Sequence, residues 1–378
     1  MKLGRVDQGM LLVTLFLIGL GLVFIYSSSL IFALESYDDG LFFFRKQLVY
    51  GFFAIVTLVV IAFLPLEKIK MIGLIAWVIA VLGVVLTLFP QFAIKAGGAN
   101  RWVRLPLGLR FEPGELLKVG YPFVLALAFQ QFLNRPNRLK LLIYSPFLLL
   151  PILLVLKQPD FGTAVIVLSV IVTLLFIYGV SIKYFIGVAV LAIPAFYIFV
   201  VQVPYRWDRI QAFLDPWNNA SDKGFQVVQS MLSFYSGGIT GQGLGQAQGK
   251  LFFLPEAHTD FILSVFAEES GFIGVVFLIL LYGFLVFRSF RVAALEQDRS
   301  TQILIFGLSI VLALSVFINM GVAMGLLPTK GLTLPFMSYG GSSLLCYSFA
   351  IGVILAADRR QRVLQTSRPR NFKYIPRN

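Results

Sequence analysis

The sequence predicts an all-α integral membrane protein of about ten transmembrane helices, with one long external loop and both termini in the cytoplasm. Hydrophobic residues make up 58% of the 378 residues and charged residues only 13%, and the mean hydropathy is +0.86. A soluble domain of this length could not bury so much apolar surface. In addition, apolar runs recur along the chain, and each is close to the roughly 20 residues needed to cross a bilayer.

Ten apolar runs follow one another along the chain. They cover residues 10–32, 47–64, 72–90, 113–132, 139–156, 162–180, 183–202, 261–287, 302–325 and 339–357. The first run is too long for the core of a signal peptide and lacks a clear small-residue cleavage site, so we interpret it as a retained helix. An even number of spans places both termini on one side of the membrane.

Basic residues set the orientation. Both termini are basic, most of all the tail after Arg359, and the positive-inside rule places such segments in the cytoplasm. The excess of basic residues on the cytoplasmic side is modest because two external loops are also basic. Their basic residues are Lys95, Arg101, Arg104, Arg110, Arg206, Arg209, Lys223 and Lys250. This cluster predicts an anionic ligand on the external face, although side chains that only reach lipid headgroups would give the same pattern.

Residues 203–260 form the long external loop, which exceeds the usual connection length several-fold. Its aromatic and apolar residues predict a folded loop with short helices on the membrane surface. We therefore predict one membrane domain, residues 1–358, followed by a basic cytoplasmic tail, residues 359–378.

The formal charge of +13 reflects this topology rather than nucleic-acid binding. A single cysteine and a single histidine exclude an internal disulfide and a Cys/His metal site.

The segment Leu254 to Asp260 brings three ionisable side chains to the start of the eighth span. Thr259 or Asp260 could cap that helix by accepting its free backbone N–H groups. Asp260 could equally act as a general base at the external membrane surface, taking a proton from a sugar or water hydroxyl. The two roles are compatible.

Charged residues inside spans are costly and therefore informative. Glu115 and Lys118 fall three residues apart on one face of the fourth helix, just after Pro113. This spacing predicts an ion pair in which the two charges neutralise each other. The pair could be structural or functional. Glu268 and Glu269 lie in the eighth span. They could form a proton relay or a hydrogen-bonded structural feature beside a discontinuous helix.

Two further segments carry polar groups between spans. Lys157 to Asp160 form a tight external turn whose charges could simply be solvated. Residues 327–343 join spans nine and ten and are too rich in Pro and Gly to be continuous helix. Their exposed N–H groups, with Lys330 and Ser338, could bind phosphate oxygens, or the segment could be a purely structural re-entrant turn.

These segments, taken in order, resemble the SEDS family of bacterial cell-wall proteins (shape, elongation, division and sporulation). The resemblance spans nearly the whole chain and is closest to the division branch of the family. It rests on four motifs, 98–102 with 111–118, 158–164, 255–261 and the Pro/Gly segment 327–343. Asn100, Glu112 and Gly114 depart from the common family pattern but leave Glu115 and Lys118 in place.

The resemblance implies a peptidoglycan glycosyltransferase of the bacterial cytoplasmic membrane, which polymerises lipid II during septal cell-wall synthesis. It implies Asp260 as the catalytic base of an inverting displacement. The residues it implies for substrate binding are Arg101, Trp102, Arg104, Glu115, Lys118, Arg206, Glu256, His258, Lys330 and Ser338. A divalent cation, magnesium or manganese, could share the charge of the pyrophosphate, and no other cofactor is implied.

The implied partners are a class B penicillin-binding protein that crosslinks the new strands, other divisome or elongasome membrane proteins, and membrane lipid. The main alternative is a lipid II flippase or an ion-coupled transporter, for which ten spans with intramembrane charges would also serve. The charged motifs argue against it because they lie on the external side. A non-catalytic scaffold would leave the basic external loops unexplained.

Overall fold

The computed structural model describes residues 6–96, 99–104, 110–134, 138–220, 224–248, 257–329 and 331–367. Within these ranges every predicted span is helical. The helices are α1 (Gln8–Tyr37), α2 (Phe42–Phe63), α3 (Leu66–Leu86), α4 (Pro113–Asn134), α5 (Arg138–Lys157), α6 (Phe161–Ile177), α7 (Ile182–Phe196), α8 (Pro204–Leu214), α9 (Phe225–Gly237), α10 (Ile262–Leu295), α11 (Arg299–Ala323) and α12 (Gly341–Ser367). A π-helical turn, Tyr197–Val201, continues α7. The predicted helical membrane fold is confirmed.

Counting only residues that the structure describes, six of these helices are long and apolar enough to cross a membrane by themselves: α1, α2, α3, α10, α11 and α12. Shorter apolar helices, Pro146–Lys157 and Phe161–Ile177, accompany them. The most apolar windows of α11 and α12 are 78% and 83% buried, whereas those of α1, α2, α3 and α10 are 28–39% buried. Helices α11 and α12 therefore form the centre of the bundle, and the other four long helices face lipid.

The start of α1 and the end of α12 meet on one side of the bundle. Asp7 caps α1 by accepting a hydrogen bond from the Met10 amide. The same carboxylate lies 3.7 Å from the guanidinium of Arg362, near the end of α12. Helix α12 continues past Arg359 to Ser367, so the first residues of the predicted basic tail are helical. The contact between Asp7 and Arg362 agrees with an even number of spans.

The connection between α3 and α4 contains a small antiparallel sheet that the sequence analysis missed. Its strands are β1 (Ala93–Ala96), β2 (Ala99–Arg104) and β3 (Arg110–Phe111), in the order β1-β2-β3. Strand β1 is irregular between Ile94 and Lys95. Such short strands beside Gly97 and Gly98 give too little alternation to be recognised in a sequence.

The long external loop is folded, as predicted, and contains α8 and α9. After α9, its Gly-rich stretch completes a break in α10 at Gly271, where φ is 67° and ψ is −170°. The Phe272 amide donates to the Gly238 carbonyl at 2.9 Å, and the Gln242 amide donates to the Glu268 carbonyl at 2.9 Å. Loop backbone thus satisfies groups that a broken helix would leave unpaired inside the membrane.

The carboxylates of Glu268 and Glu269 are buried beside this break. Glu268 Oε1 accepts a hydrogen bond from the Gln248 amide at 2.7 Å, and Glu269 Oε1 accepts one from the Ser27 hydroxyl at 2.6 Å. The two residues therefore tie the loop and α1 to the broken helix. These contacts agree with the hydrogen-bonded structural interpretation of this pair.

We expect Gly271→Ala to destabilise the protein strongly. A Cβ at this position would lie 2.6 Å from the Ile239 carbonyl oxygen and closer still to the Gly241 amide, on a backbone with positive φ. Strain and overpacking together should cost about 2–4 kcal/mol, measured as a lower thermal midpoint of the purified protein. Gly283→Ala is the matched control, because a Cβ there meets nothing within 4 Å. Equal midpoints for the two variants would contradict this account of the break.

Candidate active site

A cavity of about 440 Å³ opens on the external side of the bundle. It lies where the α1–α2 connection, strands β2 and β3, the start of α10 and the segment before α12 come together. The residues that line it are Tyr37, Phe42, Phe43, Lys46, Tyr50, Arg101, Trp102, Arg110, Glu112, Glu115, Gln226, His258, Thr259, Asp260, Phe261, Thr329, Gly331, Thr333, Tyr339, Gly340 and Gly341. Sequence segments that are hundreds of residues apart therefore form one site.

Hydrogen bonds from two elements to backbone carbonyls hold the turn that carries Asp260. The Asn319 side chain, from α11, donates to the Asp260 carbonyl at 3.0 Å. The Ser338 hydroxyl donates to the Thr259 carbonyl at 2.6 Å, and the Tyr339 amide donates to the His258 carbonyl at 2.9 Å. Phe261 occupies the N-cap position of α10, so neither Thr259 nor Asp260 is the cap residue. The Asp260 side chain lies at the cavity wall.

Gln47 holds the Pro/Gly segment before α12 in place. This glutamine of α2 is buried, its Nε2 donates to the Ser338 carbonyl at 3.4 Å, and its Oε1 accepts from the Gly340 amide at 3.3 Å. Asn319 also donates to the Leu332 carbonyl. The segment is thus held in place by side chains of two transmembrane helices, as irregular backbone within a membrane protein requires.

Arg101 of β2 extends across the cavity toward the same segment. Its Nη1 donates to the Gly331 carbonyl at 3.4 Å, and its Nε lies 3.9 Å from Asp160 Oδ1. Asp160 is buried at the N-terminus of α6, where it also accepts a hydrogen bond from the Thr163 amide. The expectation of a solvated turn at 157–160 is therefore wrong for Asp160, because this carboxylate caps a helix and faces a guanidinium.

A buried ion pair lies at the inner end of the cavity. Lys118 Nζ is 2.8 Å from Glu115 Oε1, with side-chain exposures of 1% and 3%. Lys118 also lies over the ring of Tyr347, 5.8 Å from its centroid. Burial, with the neighbouring carboxylates of Glu115 and Asp160, raises the pKa of Glu112 well above its usual value. The inner end of the cavity is therefore formed by buried charged side chains that pair with each other.

Aromatic rings form the opposite wall of the cavity. The His258 ring lies 4.6 Å from Phe43 and 5.7 Å from Tyr339 between centroids. Tyr37 stacks on Phe42 at 4.0 Å with nearly parallel planes. A cavity with one aromatic wall and one wall of charged groups suits an amphipathic ligand that carries both ring surfaces and anionic groups.

Comparison with known families identifies the family of this chain. A family model described as a cell cycle protein, covering FtsW, RodA and SpoVE, matches residues 8–363. The chain belongs to the FtsW/RodA/SpoVE family. Family membership and the apolar spans identify a multi-pass protein of the bacterial inner membrane.

Two relatives show how closely the chain resembles the FtsW branch. A probable peptidoglycan glycosyltransferase FtsW of Geobacter sp. (strain M18) is 40% identical over 361 residues, covering 94% of this chain and 97% of the relative. A protein of the same name from Saccharophagus degradans is 40% identical over 351 residues, covering 90% and 89%. The match therefore includes nearly the whole length of each protein.

Solved structures of this family share the fold. One chain comes from a peptidoglycan synthase complex described as coordinating polymerization and crosslinking. It is 28% identical, with a TM-score of 0.75, and the match covers 94% of this chain and 98% of that one. RodA of Thermus thermophilus is 27% identical, with a TM-score of 0.67 and the same coverage.

Of the predicted site residues of this FtsW/RodA/SpoVE member, five line the cavity: Arg101, Trp102, Glu115, His258 and Asp260. Three described residues lie elsewhere. Arg104 is exposed on β2, Lys118 is buried behind Glu115, and the Ser338 hydroxyl links Thr259 to the Leu334 amide. Glu256, Lys330 and the side chain of Arg206 lie outside the described residues.

Two positioning residues and one cation of the site were not predicted from the sequence. Gln47 and Asn319 are buried polar side chains in transmembrane helices. Polar side chains are costly in lipid, so their presence within apolar runs of the sequence could have indicated a structural or functional role. Lys46 lines the cavity and lies 4.0 Å from the centroid of the Phe42 ring. It was missed because it lies at the boundary of the second apolar run, where basic residues commonly only anchor a helix.

The described residues do not form a protein-held metal site. Within the described ranges no group of three or more His, Cys, Asp or Glu residues could hold a metal ion. Arg101 lies beside Asp160, and Lys118 beside Glu115, so cations of the protein already neutralise the nearest carboxylates. Within the described ranges, the protein's own side chains therefore form no metal site.

Proposed function

We propose that this chain is a peptidoglycan glycosyltransferase that polymerises lipid II into β-1,4 glycan strands at the external membrane face during septal wall synthesis. One observation carries the proposal: Arg101 and Asp260 meet at Gly331 inside the external cavity. A Cβ at Gly331 would lie 3.5 Å from Asp260 Oδ2 and closer still to Arg101 Nη1. A carboxylate base and a cation for a leaving group thus occupy one small volume. The names of the relatives support the same reaction.

Asp260 acts as the general base. The 4-hydroxyl of the GlcNAc residue on the acceptor lipid II donates its proton to the carboxylate while its oxygen attacks the anomeric carbon of the donor MurNAc. The bond from that carbon to the pyrophosphate oxygen breaks, and undecaprenyl pyrophosphate leaves with the electron pair. Attack opposite an α-linked pyrophosphate inverts the centre and gives the β-1,4 bond. One carboxylate is sufficient because no covalent enzyme intermediate forms.

Arg101 stabilises the charge that develops on the leaving pyrophosphate. Its guanidinium is held between the Gly331 carbonyl and Asp160, so it is oriented before the substrate binds. Lys46 and Arg110 also line the cavity and add positive charge toward the solvent side. The aromatic wall around His258 and Phe43 supplies ring surfaces for the sugars.

The buried pair of Glu115 and Lys118 favours this reaction over transport. A flippase needs a polar path toward the cytoplasm, whereas here the inner end of the cavity is an ion pair that is almost completely buried. Beyond it lies Tyr347, whose hydroxyl donates to Ser315 at 2.5 Å in the bundle centre. The arrangement is suited to shaping a cavity floor.

A crosslinking penicillin-binding protein is the proposed partner. The similar chain from a peptidoglycan synthase complex supports this assignment, because polymerisation and crosslinking must act on the same strand. The finer assignment to a class B enzyme and to other division proteins rests on the resemblance of the motifs to the division branch.

The function is tested by reconstitution. Purified protein, with a cognate penicillin-binding protein, is supplied with lipid II in detergent and, separately, in vesicles. We expect glycan polymer in both arms, detected by gel electrophoresis of labelled product. Movement of lipid II across the vesicle bilayer without polymer in either arm would instead support the transporter.

Asn319→Ala should slow polymerisation by about 10- to 100-fold with a small change in KM. The expected loss follows from displacement of the Asp260 turn, since small misplacements of a catalytic group are costly in kcat. Ser309→Ala is the control on the same helix, because within the described part of the chain its buried hydroxyl bonds only to the Ile305 carbonyl. Steady-state rates with lipid II give the answer. If the two variants are equally active, Asn319 does not position the base.

A further inference from the structure

A second cavity, of about 200 Å³, lies at the opposite end of the bundle between α10 and α12. Its lining is Arg288, Arg291, Val292, Leu295, Asp358, Gln361, Arg362 and Gln365. No charged residue occurs from Ser270 to Phe287 on α10 or from Gly341 to Ala357 on α12. The first charges after these apolar stretches mark the membrane surface. The cavity therefore lies at the headgroup level of the cytoplasmic leaflet.

Two of its three arginines are already held by carboxylates. Arg288 Nε donates to Asp7 Oδ2 at 2.8 Å, and Arg362 Nε donates to Asp358 Oδ2 at 2.7 Å. Although partial burial opposes it, the hydrogen bonds from Arg288 and the Met10 amide hold the pKa of Asp7 below its usual value. These pairs fix the walls of the cavity and neutralise two of its positive charges.

Arg291 differs from the other two arginines. It is exposed at the cavity and makes no hydrogen bond or ion pair with the part of the chain that the structure describes. Gln361, on the facing helix, is held by its bonds to the Val292 carbonyl at 2.9 Å and to Glu296 Oε2 at 3.1 Å. The Glu296 carboxylate does not line the cavity. The lining thus offers one uncompensated positive charge in a preformed recess.

An apolar stripe leads from the bilayer to this charge. Exposed apolar side chains on α10 recur every three or four residues and lie on one helix face with Arg291. They are Leu280, Phe284, Phe287 and, beyond the arginine, Leu295. A ligand with an acyl chain could lie along the stripe while its head entered the cavity.

We propose that this cavity binds the headgroup of an anionic phospholipid of the cytoplasmic leaflet, with its phosphodiester on Arg291. A phosphodiester carries a single negative charge, which matches the one uncompensated arginine. Basic recesses between transmembrane helices on the cytoplasmic side are suited to such headgroups. The acyl chains follow the apolar stripe of α10. The site is separate from the external cavity and does not depend on the proposed reaction.

Native mass spectrometry of the full-length protein, titrated with phosphatidylglycerol or with phosphatidylcholine, tests the proposal. We expect phosphatidylglycerol to bind more tightly, and Arg291→Gln to weaken it about fivefold, the effect of one basic residue at a membrane surface. Arg299→Gln is the matched control, since Arg299 is exposed at the start of α11 outside the cavity. It should change the affinity less than twofold.

Three results would overturn the assignment. The first is equal weakening by the two substitutions, which would show attraction to general surface charge. The second is phosphatidylcholine bound as tightly as phosphatidylglycerol. The third is displacement of the lipid by millimolar inorganic phosphate, which would identify a site for a free anion instead. Each variant should keep the wild-type thermal midpoint, because Arg291 and Arg299 are both exposed.

Discussion

Asp260→Asn is expected to reduce lipid II polymerisation by between about 100-fold and 10,000-fold, the range that general acid–base catalysis contributes. The amide is nearly isosteric with the carboxylate but cannot accept the proton of the acceptor hydroxyl. The substitution leaves intact the hydrogen bonds that Asn319, Ser338 and Tyr339 donate to this turn, because these bonds end on the backbone carbonyls of His258, Thr259 and Asp260. The rate is measured as labelled glycan formed from lipid II with the penicillin-binding partner present.

Asp39→Asn is the matched control for this substitution. Asp39 is a partly exposed carboxylate in the external α1–α2 connection, where it pairs with Arg45 at 3.3 Å, and it does not line the cavity. We expect this variant to polymerise at close to the wild-type rate. Polymerisation by Asp260→Asn at the rate of Asp39→Asn would exclude Asp260 as the base.

Lys118→Ala should cost about 3–5 kcal/mol of stability, because it leaves the buried carboxylate of Glu115 without its partner. The expected result is a much lower yield and thermal midpoint of the purified protein. Replacing both residues, as Glu115→Leu with Lys118→Met, should restore most of the stability, since a buried pair is often exchanged for apolar side chains at little cost.

The pair Lys70–Asp298 serves as the control for the substitutions of Glu115 and Lys118. Its atoms lie 3.1 Å apart, but the side chains are 31% and 38% exposed, so Lys70→Ala should cost no more than about 1 kcal/mol. Equal midpoints for Lys118→Ala and Lys70→Ala would contradict the buried-pair account. Activity of the stable double variant then separates the roles: loss of polymer with normal stability would show that the Glu115–Lys118 pair serves the reaction as well as the fold.

The membrane helices could be predicted because lipid imposes a simple rule on sequence. A span must be apolar for about 20 residues, and the run 302–325 became α11, Arg299–Ala323, within a few residues. Glu115 and Lys118 could be paired for a similar reason, since helical spacing places residues three apart on one face. Local geometry was sufficient in both cases.

The external site could be predicted only in part because long-range contacts assemble it. Arg101 and Arg104 looked equivalent in the sequence, but Arg101 lies in the cavity and Arg104 is exposed. Residues three apart on a strand point to opposite faces, and the strand itself was not recognised. Asp160 looked solvated because its partner, Arg101, is 59 positions away in the chain and reaches it only through the sheet.

Gln47 and Asn319 show a second limit of sequence reasoning. Each donates to backbone carbonyls of the Pro/Gly segment, so their role depends on a loop whose path the sequence does not define. A buried amide in a transmembrane helix signals a hydrogen bond without naming the partner. Only the assembled fold shows that both partners lie next to the turn that carries Asp260.

A structure of Asp260→Asn with lipid II bound would show whether this side chain is the base. We expect a GlcNAc 4-hydroxyl within about 2.6–3.2 Å of the side chain at position 260, or one water away. It also predicts a pyrophosphate against the Arg101 guanidinium. A pyrophosphate bound outside the 440 Å³ external cavity, or a sugar hydroxyl too far from position 260 for one bridging water, would contradict it.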